Sequence, residues 1–227
     1  MTTPDNRWMA GNRLKDDTRP MDSDHSMTSV RSMHTVRSMA DARSMAATRW
    51  SAVGVARNIL AVLIGTAVVA LAAQIAIPFK PVPITMQTLA VVLVAWRLGA
   101  GRGFASLALY GTLGSMGAPI FAAGSSGAGA SLGFIVGFVL AAAFVGAMAA
   151  RRPLAGWRAV AVFAAGLAIP YVPGLIWLSA MTGMGAPWSA AVLGAVVVPF
   201  IPGDLLKLAL ASSAAGAWAA MTRRTSS

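Results

Sequence analysis

The sequence predicts an all-α membrane protein with six transmembrane helices and both termini cytoplasmic. Three observations carry that reading. Of the 227 residues, 57% are hydrophobic and only 11% are charged, against about 25% charged in an average soluble domain. From residue 58 onward the chain contains one acidic residue, Asp204, too little charge to keep a soluble surface wet. The apolar residues form runs of about twenty, the length that crosses a ~30 Å hydrocarbon layer as a helix.

Residues 1–52 stand apart. They are polar, basic and rich in Ser, Met, Arg and Asp, with Arg-Ser-Met recurring every six residues at 31–33, 37–39 and 43–45. This composition cannot build a core, so the segment reads as a disordered cytoplasmic tail rather than an amphipathic surface helix. It also lacks the continuous apolar stretch that a signal peptide requires. Residues 53–222 then form the transmembrane domain, and 223–227 the cytoplasmic end.

The spans follow in order. Ile59 to Ile77 is the first helix. Ile84 to Leu98 is the second, and Gly103 to Phe121 the third, rich in Gly. Leu132 to Ala150 is the fourth. Ala159 to Met181 is the fifth, interrupted by Pro170 and Pro173. Ala186 to Met221 is too long for one crossing. The prolines of "PFIPGD" (199–204) predict a break, with a short outer or re-entrant helix near Trp188 to Val198 and a sixth span over Gly203 to Ala220.

Loop charges orient this scheme. With the tail inside, the inner segments carry Arg97 and Arg102, then Arg151, Arg152 and Arg158, then Arg223 and Arg224. The outer segments carry only Lys80. Basic residues thus collect on one side, as topology-setting charge does. The net charge of +11 is distributed in that way and not as a phosphate-binding groove, so nucleic acid is not an expected partner; membrane lipid is. Cys is absent, which excludes disulfides and thiolate chemistry.

The outer connections are unusual in sequence and the inner ones short and basic, which points to a site facing outward. Asp204 and Lys207 are three residues apart on one helix face. They are the lone acid of the membrane region and the lone base deep in a span. Ionisable groups there are costly and usually functional, although a cap plus a snorkelling lysine would use the same residues. Together they suit a small ligand carrying both donors and acceptors. Thr85, Gln87 and Thr88 open the second span and either bond between helices or face a ligand. Phe79, Tyr110, Phe121, Phe134, Tyr171, Trp177, Trp188 and Phe200 stand near the outer face as interface anchors or pocket aromatics, and Lys80 as a loop charge. Small residues four apart, Ala61 with Gly65 and Thr66 with Ala70, permit close helix contact.

Other chemistries lack their residues. "GSSGAGASLG" (124–133) is followed by no Lys-Ser/Thr and preceded by no strand, so it is no phosphate loop. Both histidines, His25 and His34, lie in the tail. That leaves no catalytic triad and no metal cluster in the membrane, and the expectation is no enzyme, no metal and no cofactor.

Three stretches resemble a known family. "PVPITMQTLAVVL" (81–93), "LYGTLGSMGAPIFAAG" (109–124) and "VPFIPGDLLKLALA" (198–211) look like the signature stretches of BioY, in matching order and spacing. The resemblance covers roughly residues 56 to 221. It implies the six-helix S-component fold of energy-coupling factor (ECF) transporters, capture of biotin from outside the inner membrane, and partnership with a transmembrane T-component and ABC-type ATPases. It implies a site beneath the outer connections, with Asp204 and Lys207 serving the ligand. Phe79, Thr85, Gln87, Tyr110, Phe121 and Ser131 are the further residues expected around it. The chain departs from the family's PTGGY pattern, reading Ala130-Ser131-Leu132-Gly133-Phe134; Ser131 keeps a hydroxyl where the family has Thr. A proton-coupled carrier of a small carboxylate and an S-component for another vitamin are the alternative readings.

Overall fold

The structure, a computed structural model, describes residues 53–225. The expectations for the 1–52 tail and its repeat lie outside the described residues. Among those described, five helical stretches are long and apolar enough to cross a membrane: Val53–Gln74, Gln87–Ser115, Leu132–Arg151, Gly156–Thr182 and Ala190–Arg224.

The first stretch is α1, Val53–Gln74. Its apolar side chains are mostly turned outward, and Val69 and Ala73 are its fully buried apolar positions. Thr66 ties it to the next helix by donating to the Ser106 carbonyl at 2.9 Å, and the Ser106 hydroxyl donates back to the Val62 carbonyl at 3.1 Å. The small residues at 65 and 66 thus serve close packing within this chain.

After α1 the chain forms a two-stranded antiparallel hairpin, β1 Ala76–Ile77 and β2 Ile84–Thr85, in the register Ala76↔Thr85 and Ile77↔Ile84. Ile84 therefore belongs to a strand and not to the second helix, because Pro78, Pro81 and Pro83 interrupt helical hydrogen bonding on its N-terminal side. Helix α2 follows over Gln87–Ser115.

Helix α2 is broken at Gly99, with φ 78° and ψ 175°. A residue with a side chain rarely adopts such a positive φ. Eight residues of straight helix would separate Ala95 from Gly103 by about 12 Å. Yet a Cβ on Gly103 would stand 3.1 Å from the Ala95 Cα. The chain doubles back at Gly99, and the two halves of α2 lie side by side. The second half ends at Ser115, short of the expected Phe121, because Gly117 at φ 106° turns the chain out of the helix. Residues 116–131 become a long connection containing one 3₁₀ turn, Ala122–Gly124.

Helix α3 is Leu132–Arg151, α4 Gly156–Ala168 and α5 Tyr171–Thr182. Pro170 occupies the position before α5; it lacks the N–H that would continue α4, so the fifth apolar run splits there. α3 packs against α2, α4 and α5.

The expected break at "PFIPGD" is overturned. After a three-residue turn, α6 Ala190–Val192, and a wider π-turn, Leu193–Val197, helix α7 runs unbroken over Val198–Arg224. Pro199 sits in its opening turn, where the missing N–H costs nothing. Pro202 removes one ladder bond, yet the helix continues because packing on α4 holds it. The irregularity moved upstream into the π-turn, a common accommodation next to functional sites.

Candidate ligand pocket

The pocket opens where the β-hairpin, the 116–131 connection and the first turns of α2, α3, α5 and α7 converge. Its lining is largely apolar: Val82, Pro83, Phe121, Phe134, Ile135, Phe138, Leu167, Pro170 and Phe200. The polar lining is Thr85, Gln87, Thr88, Ser131, Tyr171, Asp204 and Lys207.

Asp204 and Lys207 form an ion pair, Nζ to Oδ1 at 3.1 Å. The i,i+3 spacing on α7 brings them together. Lys207 is 3% exposed, so its ammonium is removed from solvent and needs this partner. The other carboxylate oxygen, Oδ2, accepts a hydrogen bond from the Tyr171 hydroxyl at 2.6 Å, a short charge-assisted contact. Both charges therefore come from the α7 side of the pocket.

The hairpin side is different. Gln87 is 4% exposed, and among the described residues its Nε2 has no hydrogen-bond partner. Its backbone N–H bonds to Thr85 Oγ1 at 3.3 Å. Thr88 Oγ1 is likewise screened from solvent and unpartnered. Buried donors left unpaired cost about 1–3 kcal/mol each, and native structures seldom leave them so unless something else binds there.

Six of the eight residues predicted for the site line it: Thr85, Gln87, Phe121, Ser131, Asp204 and Lys207. Two do not. Tyr110 is fully buried behind Phe121, with ring centroids 5.3 Å apart. Its hydroxyl donates to the Ile120 carbonyl at 3.2 Å, and it supports the connection instead of touching the cavity. Gln74 braces the same segment by donating to the Ile120 and Phe121 carbonyls at 3.3 and 3.2 Å. Phe79 stands outside the lining, edge-on to Phe200 at 6.5 Å. Lys80 is exposed at the tip of the hairpin.

Tyr171, Phe134 and Phe200, legible in sequence only as outer-face aromatics, line the pocket too, together with Phe138, which no sequence feature singled out. Phe79, Phe200, Tyr171 and Phe134 form an edge-to-ring series with centroid spacings of 6.5, 6.4 and 6.1 Å. Periodicity alone cannot tell such residues from interface anchors. The proline at 170 was the available signal, since it sets Tyr171 at the first turn of α5 facing α7. Gly133 is kept where the chain departs from PTGGY, and a Cβ there would collide with the Pro173 carbonyl and Trp177.

The BioY family model matches residues 38–224. The chain belongs to the BioY family. The match begins within the tail, earlier than residue 56, where the resemblance was expected to start. "Biotin transporter BioY" of Thermotoga maritima is 34% identical over 160 residues, covering 69% of this chain and 92% of that protein. "Biotin transporter BioY" of Rhodobacter capsulatus is 36% identical over 166 residues, covering 67% and 87%. Among solved structures, the S-component for biotin from an ECF-type ABC transporter superposes with a TM-score of 0.59 at 22% identity, over 70% of this chain and 89% of that one. The fold is thus that of an S-component, and the chain is a BioY-family transporter protein, not an enzyme.

Proposed function

We propose that this chain captures biotin at the outer face of the inner cell membrane and delivers it as the S-component of an ECF-type ABC transporter. The observation that carries the reading is the Asp204–Lys207 pair, 3.1 Å apart, in the wall of a largely apolar pocket. A ligand for adjacent acceptor and donor must itself present N–H beside C=O. The cyclic urea of biotin does: its N–H groups meet the Asp204 carboxylate and its carbonyl meets the Lys207 ammonium. The bicycle lies against Phe134, Phe138, Ile135 and Phe121. The valerate carboxylate is received by the unpaired donors Gln87 Nε2 and Thr88 Oγ1, with Thr85 and Ser131 nearby. Phe79 and the hairpin close the mouth.

The doubling-back at Gly99 makes Gln87–Ser115 two crossings, so the chain crosses six times. Arg97, Arg102, Arg151, Arg152 and Arg158 mark the cytoplasmic side, with both termini there. Transport energy comes from a T-component and ABC-type ATPases, dedicated or shared.

Isothermal titration of the purified full chain with biotin tests the reading. The expected result is saturable binding that thiamine and riboflavin do not displace, and that Asp204→Asn and Lys207→Ala each abolish or strongly weaken. Wild-type affinity in both variants would refute the assignment.

A further inference from the structure

Asp204 borders two cavities. One is the ligand pocket. The other is a groove on its far side, between α4, α5 and α7, lined by Ala164, Leu167, Ala168, Val197, Ile201, Leu205 and Leu208 together with Tyr171 and Asp204. Ile201 and Leu205 are exposed on the outside of the helix bundle, so in a bilayer this groove opens sideways toward lipid. Leu167, Tyr171 and Asp204 are the residues that both cavities share, and they form the partition between them.

A carboxylate in such a partition has two directions to face. Lys207 holds Oδ1 at 3.1 Å, and among the described residues the Tyr171 hydroxyl alone holds Oδ2, at 2.6 Å. The two contacts come from different helices, α7 and α5, so together they fix the side-chain torsions that either alone would leave free. The Tyr171 ring is itself clamped edge-on by Phe134 at 6.1 Å and Phe200 at 6.4 Å. Its hydroxyl is therefore a rigid donor.

We infer that Tyr171 is a positioning residue: it keeps the Asp204 carboxylate turned into the ligand pocket and away from the lipid-side groove. The inference rests on the biotin reading for its effect on affinity, but its geometric content does not. Tyr171→Phe keeps the ring and the partition and removes only the hydroxyl. One charge-assisted hydrogen bond corresponds to roughly a tenfold to hundredfold change in an equilibrium constant.

The experiment combines biotin titration with infrared difference spectroscopy on the full-length protein in lipid. Wild-type minus Asp204→Asn spectra isolate the carboxylate band of Asp204. The expected results are a shift of that band in Tyr171→Phe, biotin binding weakened about tenfold or more, and no further loss when Tyr171→Phe is added to Asp204→Asn. If Asp204→Asn weakens binding but Tyr171→Phe binds like wild type, or the two losses simply add, the inference falls and the biotin reading stands. If the wild type binds no biotin, the biotin reading falls and the band decides alone: a shift upholds the positioning role, an unmoved band overturns it.

Discussion

The two walls of the pocket treat their polar groups in opposite ways. On the α7 side, Lys207, Asp204 and Tyr171 satisfy one another at 3.1 and 2.6 Å. On the hairpin side, Gln87 Nε2 and Thr88 Oγ1 are screened from solvent with no partner. The first wall is preorganised: its charges are neutralised and oriented before any ligand arrives. The second carries a standing cost that a ligand relieves. Mutation should therefore damage the empty protein on one wall and only the complex on the other.

The largest effect is expected for Lys207→Met. It leaves the half-buried Asp204 carboxylate without its cation, and breaking a buried pair this way costs about 3–5 kcal/mol. Thermal unfolding of the ligand-free protein should show a lower midpoint, and biotin binding should be lost; an unchanged midpoint would break the contrast between the walls. Gln87→Leu is next and has the opposite signature. Removing an unpaired buried donor leaves the ligand-free midpoint unchanged or raises it, while biotin affinity falls about tenfold, the weight of one hydrogen bond to a charged acceptor. A ligand-free protein destabilised as much as Lys207→Met would mean that the hairpin wall is preorganised too.

Thr88→Val is a finer version of the same test, because it keeps the shape and deletes only the hydroxyl. Affinity should drop about fivefold, the value of a hydrogen bond worth roughly 1 kcal/mol, with no loss of ligand-free stability. The smallest effect is expected at the mouth. Phe79→Ala removes the edge-on contact to Phe200, and such pairs contribute about 0.5–1.5 kcal/mol. Biotin should dissociate several-fold faster in a chase experiment, with the unfolding midpoint nearly unmoved. Release at the wild-type rate would remove Phe79 from the closure.

The contrast also explains what could be read in advance. Asp204 and Lys207 were legible because a charge in an apolar run is conspicuous and i,i+3 spacing is a fixed geometry. Thr85, Gln87 and Phe121 were legible through the signature stretches, and Ser131 through the hydroxyl it keeps where the family has Thr. Tyr110 and Phe79 were misplaced by one layer each, since an aromatic beside a pocket and an aromatic behind it look alike in sequence. Tyr171 was seen as an outer-face aromatic and not as the partner of Asp204; the two are 33 residues apart, and no local pattern reports such a pairing.

By itself the sequence determined the class: a polar tail, apolar runs of membrane length, basic residues gathered at alternate connections, and a lone acid–base pair. Each of these is a local or compositional property, set by the cost of placing charge and unpaired backbone in hydrocarbon. Only the tertiary structure decided the early end of α2 at Ser115, the continuation of α7 through Pro202, and the meeting of Tyr171 with Asp204. A proline's cost or a hydroxyl's partner depends on what other helices bring alongside it, and that arrangement exists only once the helices have packed.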